Sequence, residues 1–174
     1  ERDSISSLTK QITNKQSLIT KKIPSVMIII DYFIGDVSNE EIPINKMELW
    51  LTYNPYLAEY VKEYFQPLIY LYETKELEIW RSTPLGNIAY VIVSCYIYRL
   101  LYYKDYKKLI ESDNIAIAIL TELQDNAESL LSQSYFSELK YAYQFILILA
   151  ASYTENLEAQ LRVQYWLDGF LDNK

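Results

Sequence analysis

Histidine is absent from this 174-residue chain, and glycine occurs only three times, at Gly35, Gly86 and Gly169. Without histidine the chain lacks the commonest general base, the Ser-His and Cys-His nucleophile pairs and the usual nitrogen ligand of zinc. Isolated glycines cannot form the glycine-rich loops that cradle phosphate groups. The two absences predict that the protein is not an enzyme and that it carries no metal or other cofactor.

Cysteine is also nearly absent. The single cysteine, Cys95, cannot form a disulfide within the chain, and it lies in an apolar run where a small buried core residue is expected. A single thiol fits a reducing compartment, and no charged-then-apolar leader starts the sequence. The sequence therefore favours an intracellular location.

Basic residues are in the minority, with 16 lysines and arginines against 23 acidic residues and a net charge of −7. This balance argues against nucleic acid and against an anionic membrane surface as partners. Residues 1–22 differ from the rest, since they carry five basic and two acidic residues and a thin apolar stripe. We expect an N-terminal amphipathic helix or linker over 1–22 and a single helical domain over 23–174.

Proline and capping residues predict where helices begin. Proline occurs five times, never after Pro84. The helix starts expected in the first half are Pro24 (with Gly35 past the end of that helix), Asn54-Pro55, Pro67 and Thr83-Pro84. In the second half, Ser112-Asp113-Asn114 resembles a cap cluster, and Ser152 with Glu155 is spaced like a capping box for the last helix. A largely apolar stretch over 136–153 predicts a central helix.

The run "IAYVIVSCYIYRLLYYKDY", residues 88–106, is the most apolar part of the chain. Only eleven residues, Ile88 to Tyr98, precede the charge of Arg99, whereas a membrane span needs about 20. We therefore predict no membrane span. The run is interpreted as a long helix from about Pro84 to about Glu111, buried over its first half.

The predicted fold is all-α, a single domain of seven or eight helices packed as antiparallel hairpins. The alternative is an α/β fold with parallel strands at 26–30, 90–98, 115–120 and 145–150, because these segments are rich in β-branched residues. Two observations oppose it: no glycine or proline separates strand from helix after Cys95, and the nucleotide loop usual in such folds is missing.

Charged residues offer few candidate sites. Glu59 and Glu63 lie one helical turn apart, but a carboxylate-bridged metal site usually adds histidine ligands. The acidic cluster around Lys75 (Glu73, Glu76, Glu78) and the basic cluster Lys104, Lys107 and Lys108 are interpreted as solvated helix faces. Asp31 would mark a site only if it were buried.

Aromatic residues are abundant, with 18 tyrosines and three tryptophans. The candidate partner-binding residues are Trp50, Tyr53, Tyr56, Tyr60 and Tyr64. Because tyrosine and tryptophan are enriched in interface hot spots, we expect a non-enzymatic adaptor or scaffold domain that binds another protein or peptide, with self-association left open. The alternative is a regulator's effector domain that senses a peptide or small hydrophobic molecule, which a tyrosine-lined pocket of about 300–1,000 Å³ would favour.

Overall fold

The computed structural model describes residues 24–36, 44–125 and 139–172. Within these ranges the chain forms eight α-helices and no strand. The α-helices are α1 (Val26–Phe33), α2 (Ile44–Leu51), α3 (Pro55–Glu73), α4 (Pro84–Val91), α5 (Tyr98–Tyr102), α6 (Tyr106–Asp125), α7 (Tyr141–Ala151) and α8 (Leu157–Asp172). A 3₁₀ segment (Glu76–Ser82) precedes α4, and a π-helical segment (Ile92–Ile97) joins α4 to α5.

The all-α helical bundle is thus confirmed, and the α/β alternative is wrong. All four segments proposed as strands, at 26–30, 90–98, 115–120 and 145–150, are helical. Most of their β-branched residues are buried between packed helices, with Ile28 the exposed exception among them, so the runs are apolar without being strands. Residues 1–22, which we expected to form an amphipathic helix or linker, lie outside the described residues.

Two predicted helix starts are confirmed by capping hydrogen bonds. The Asn54 side chain accepts the backbone N–H groups of Tyr56 (2.9 Å) and Leu57 (3.2 Å), and Pro55 is the first residue of α3. Thr83 caps α4 in the same way, and Pro84 follows it. In both places local chemistry alone decides the boundary.

The prolines at 24 and 67 behave differently from the prediction. Ser25, not Pro24, caps α1, so the proline precedes the cap, while Gly35 ends the helix at φ 78° as expected. Pro67 does not start a helix but lies buried inside α3. It cannot donate the usual backbone hydrogen bond there. Burial of its neighbours Phe65 and Leu68 against the core holds the helix together across it.

The predicted long helix from Pro84 to Glu111 breaks at Tyr103–Asp105, and α6 begins at Tyr106. Asp105 provides the start, since its side chain accepts the N–H of Lys108 at 3.3 Å. The Ser112-Asp113-Asn114 cluster therefore does not cap a helix. It lies inside α6, where Ser112 and Asp113 are buried and contact Ser94 and Arg99 of the helical run Pro84–Tyr102.

The expected capping box at Ser152 and Glu155 is also wrong. The Asn156 side chain accepts the N–H of Ala159 at 3.0 Å, and α8 begins at Leu157. The Ser152 hydroxyl instead donates back to the carbonyl of Leu149 in α7. The central helix expected over 136–153 is described from Tyr141 to Ala151, and most of that helix is buried.

The core is organised around the continuous helix Pro84–Tyr102, which comprises α4, the π segment and α5. It contacts α1, α3, α6 and α7, and α8 packs on α7. This helix has 19 residues, and it is the one described helix that is long and apolar enough to cross a membrane. It exceeds the eleven-residue apolar run from Ile88 to Tyr98 because it also includes residues on both sides of that run, among them Arg99. Yet 78% of its apolar window is buried inside the structure. A buried core helix passes the same length test, so this helix is weak evidence for a membrane.

The π segment frees a carbonyl for a buried polar contact. The N–H of Tyr98 bonds to the carbonyl of Val93, not to that of Ser94 as in an α-helix. The Ser94 carbonyl accepts the buried Ser112 hydroxyl of α6. The widened turn thus lets two apolar helices pack tightly without leaving this hydroxyl unsatisfied.

Cys95 lies in this segment, fully buried as expected, and its thiol donates to the Ser112 carbonyl at 3.4 Å. Burial raises the pKa of Cys95 to about 11, so almost no thiolate forms near neutral pH. We expect a thiol-specific reagent at pH 8 to modify the folded protein at least about 100-fold more slowly than the denatured protein. Comparable rates in the two states would contradict the burial of this residue.

Candidate functional site

The end of α1 is held by side chains of α2. Lys46 donates to the carbonyl of Tyr32 at 2.6 Å, and the Trp50 indole donates to the carbonyl of Phe33 at 2.8 Å. Both carbonyls belong to the last turn of α1, whose carbonyls have no partner within the helix itself. Trp50 is 3% exposed. Although the sequence grouped it with the contact surface, Trp50 lies in the core, and its contribution is to position α2.

The other four candidate residues are exposed. Tyr53, Tyr56, Tyr60 and Tyr64 have exposed fractions of 44, 86, 42 and 54%. We refer to these four residues as the tyrosine face. Tyr60 lies 4.3 Å from Tyr64 between ring centroids and stacks on Tyr32 of α1 at 5.8 Å. Tyr60 is therefore held between Tyr64 and Tyr32, and Tyr32 packs against the core.

A small pocket lies beside Tyr53. Its volume is about 240 Å³, and its lining includes Trp50, Tyr53, Tyr96, Arg99, Leu100 and Tyr153. We refer to it as the anchor pocket. Tyr53 leans on Tyr103 at 4.0 Å between centroids, and the Tyr153 hydroxyl donates to the carbonyl of Trp50 at 2.9 Å. Five aromatic residues thus line the pocket, and hydrogen bonds hold Trp50, Tyr96 and Tyr153 in place.

Arg99 is the one cation among the residues that line the anchor pocket. Its guanidinium lies 4.3 Å from the ring of Tyr153 and forms an ion pair with the buried Asp113 of α6. Its Nε is buried and has no acceptor among the described residues. Burial raises the pKa of Asp113 above its ordinary value, and Arg99 opposes that rise.

A second concavity, of about 500 Å³, lies between the end of α3 with the 3₁₀ segment on one side and α6 on the other. Tyr72, Tyr90 and Tyr98 line it together with Ile115. Its charged lining residues are three acids and three bases: Glu73, Glu78, Glu111, Lys75, Arg81 and Lys108. We refer to this concavity as the mixed-charge cleft.

Two ion pairs connect the walls of the mixed-charge cleft. Lys108 of α6 lies 3.0 Å from Glu73 of α3, and Arg81 of the 3₁₀ segment lies 2.5 Å from Glu122 of α6. Burial alone would lower the pKa of Lys108. Hydrogen bonding to Glu73 and Tyr98 outweighs burial and raises this pKa above its ordinary value. Lys108 therefore stays charged throughout the physiological range.

The tyrosines of the cleft pack edge to face. Tyr72 lies 5.8 Å from Tyr90 and 5.0 Å from Tyr98, at interplanar angles of 67° and 69°. Burial raises the pKa of Tyr90 and of Tyr98 to about 12, so both hydroxyls are neutral donors at pH 7. The Tyr98 hydroxyl donates to Glu73 at 3.2 Å.

The sequence did not identify the mixed-charge cleft. Glu73, Glu78 and Lys108 were interpreted as solvated helix faces, whereas all three line the cleft. The one available signal was the presence of opposite charges on segments about 35 residues apart, and such a signal does not say which segments meet.

The remaining charged candidates lie on the surface. Asp31, Glu59, Glu63, Lys104 and Lys107 are exposed. Among the residues that the structure describes, no group of three or more histidine, cysteine or acidic side chains could hold a metal ion. That the chain carries no metal or cofactor stays a prediction from its composition.

Comparison of the chain with protein-family models, with curated proteins and with solved structures finds no match in any of the three. The features of the structure that bear on function are therefore the tyrosine face, the anchor pocket and the mixed-charge cleft.

Proposed function

We propose that the domain is a non-enzymatic adaptor or scaffold that binds another protein or peptide through the tyrosine face and the anchor pocket. The observation that carries the proposal is the exposure of four tyrosines, at 42–86%, of which Tyr53 also lines a pocket of about 240 Å³ that contains other aromatic residues. Exposed aromatic clusters are uncommon on monomers and usually mark binding surfaces.

The sizes of the two features fit a protein partner. A pocket of about 240 Å³ is smaller than the roughly 300–1,000 Å³ typical of small-molecule sites, and it suits one inserted side chain. Tyrosine rings bury large areas at a low cost in side-chain entropy, and Tyr60 is already held by Tyr32 and Tyr64. An aromatic or leucine side chain of the partner in the anchor pocket, together with partner contacts on the tyrosine face, would form a hot spot.

The proposal predicts that Tyr56→Ala and Tyr60→Ala, alone and together, leave the melting temperature nearly unchanged and weaken partner binding by at least about 2 kcal/mol. Because both rings are exposed, their truncation leaves no cavity in the core. The partner is first identified as the protein that the wild-type domain retains and the double variant does not. Its affinity for purified wild-type and variant domains is then measured by calorimetry.

The matched control is Tyr165→Ala, which removes a tyrosine that is 77% exposed on α8. It is expected to leave binding unchanged. Equal loss in the control and in the double variant would indicate a nonspecific effect of surface tyrosines. No loss in either would place the binding surface elsewhere on the chain, and the proposal would be abandoned.

A second candidate function, the ligand-sensing effector domain, is favoured by the mixed-charge cleft. Its volume of about 500 Å³ falls within the roughly 300–1,000 Å³ of small-molecule sites, and three tyrosines line it. The two functions use different surfaces and are compatible with each other. Intracellular location and the absence of enzymatic activity, nucleic-acid binding and membrane binding remain predictions from composition.

A further inference from the structure

Among the residues that the structure describes, the charges of the mixed-charge cleft are only partly paired. Glu73 is paired with Lys108, and Arg81 reaches Glu122 outside the cleft lining. Glu78, Glu111 and Lys75 form no ion pair within 4 Å among the described residues. The cleft therefore presents two carboxylates and one ammonium that are available to a ligand.

The uncommitted charges have both signs, which restricts the ligand. A simple organic cation would face Lys75 and Arg81, and a simple anion would face Glu78 and Glu111. Like charges in a partly enclosed site repel more strongly than they do in bulk water. A ligand with one group of each sign avoids both repulsions, and its apolar part can lie against Tyr90 and Ile115, which also line the cleft.

We propose that the mixed-charge cleft binds a small zwitterion with an apolar body: an α-amino acid or a short peptide whose amino and carboxyl ends are both free. The ammonium group lies toward Glu78 and Glu111, and the carboxylate lies toward Lys75. The proposal depends on the second candidate function, ligand sensing, and is independent of the tyrosine face.

The cleft also connects the ligand to the helix packing. Glu78 and Arg81 belong to the 3₁₀ segment, whereas Glu111 and Glu122 belong to α6. A ligand held between Glu78 and Glu111 would add a third connection between the walls that Glu73–Lys108 and Arg81–Glu122 already join. Binding is therefore expected to raise the melting temperature by mass action.

The test uses the dipeptide Leu-Leu in four forms: free, N-acetylated, C-amidated and blocked at both ends. Titration calorimetry on the full chain is expected to show binding of the free form. Blocking either end should weaken binding at least about tenfold, since each block removes one charge-assisted contact. Free leucine is a fifth probe. If it binds as tightly as Leu-Leu, the ligand class is the amino acid; if it is much weaker, the class is the peptide.

Substitutions assign each end to its residues. Glu78→Gln and Glu111→Gln should each weaken the free dipeptide about five- to tenfold yet leave the affinity of the N-acetylated form unchanged. Lys75→Met should weaken binding of the free dipeptide and leave the affinity of the C-amidated form unchanged. Glu59→Gln, which removes an exposed carboxylate outside the cleft, is the matched control and should have no effect. All four positions are exposed, and circular dichroism verifies that the variants fold.

Two results would overturn the proposal in distinguishable ways. If the doubly blocked dipeptide binds as well as the free form, the zwitterion assignment is wrong, while ligand sensing by the cleft stands. If no form binds up to about 10 mM, weaker than any specific ligand of this size, both the assignment and the ligand-sensing function fail. The adaptor proposal would be unaffected, because it depends on the tyrosine face.

Discussion

Gly86→Ala, which adds a single methyl group, is expected to destabilise the protein by at least about 3 kcal/mol. A Cβ at this position would lie 1.8 Å from the carbonyl oxygen of Trp80 and 2.6 Å from the hydroxyl of Thr83. The first contact is with backbone, so no side-chain rotation can relieve it. The 3₁₀ segment would have to move away from α4, with loss of the Thr83 cap on the N–H of Gly86.

Gly169→Ala provides the matched control for this prediction. It lies exposed in α8, and an added Cβ would meet no atom within 4 Å. Alanine is favoured over glycine in a helix, so this variant should be more stable than the wild type by about 0.5–1 kcal/mol. Urea denaturation of the three proteins gives both values. A Gly86→Ala variant within about 0.5 kcal/mol of the wild type would show that Trp80 does not approach α4 this closely.

Arg99→Met is expected to destabilise the protein by about 3–5 kcal/mol at neutral pH, because it removes the cation that pairs with the buried carboxylate of Asp113. Asp113 is 6% exposed, and the structure gives it no other ion-pair partner among the described residues. Methionine preserves much of the arginine stem, so the loss reports mainly on the charge. Arg99 also packs on Tyr153 in the anchor pocket, and that pocket should loosen in the same variant.

The loss should depend on pH in a definite direction. Burial already raises the pKa of Asp113 above its unfolded value, and removal of Arg99 raises it further. Between the unfolded and the folded pKa, the folded protein binds the proton more tightly, so stability falls as the pH rises through that interval. The deficit of Arg99→Met is therefore full above the folded pKa and shrinks as the pH is lowered toward the unfolded pKa, near 4.

A double variant separates the charge effect from lost packing. Arg99→Met combined with Asp113→Leu leaves no buried charge, and most of the stability lost in Arg99→Met should return. In this double variant the pH dependence of stability that is attributed to Asp113 should disappear. A double variant as unstable as Arg99→Met would mean that packing of the guanidinium, and not compensation of Asp113, accounts for the loss.

Boundaries that depend on a few neighbouring residues were predictable from the sequence. Asn54-Pro55 and Thr83-Pro84 start helices because the cap side chain and the N–H groups it accepts lie within three residues of each other. The positive φ of Gly35 and the burial of Cys95 follow from equally local information, the first from a missing side chain and the second from a continuous apolar run. The all-α class follows from the sum of such local preferences.

Features that depend on which helices meet were not predictable. Ser112 and Asp113 have the chemistry of caps, but their partners Ser94 and Arg99 lie on another helix, so they serve packing instead. Trp50 is of a residue type enriched in hot spots, yet its indole N–H donates to the carbonyl of Phe33 and its side chain lies in the core.

The candidate sites divide in the same way. An all-α chain with a tyrosine-rich segment is predictable from the residues alone, because helix periodicity and capping act within about one turn. Helix packing sets which tyrosines reach solvent, and it brings Glu73 to Lys108 and Arg81 to Glu122, pairs that are 35 and 41 residues apart. Long-range contacts of this kind are set by how buried helix faces fit together, which depends on the whole core and on no single stretch of residues.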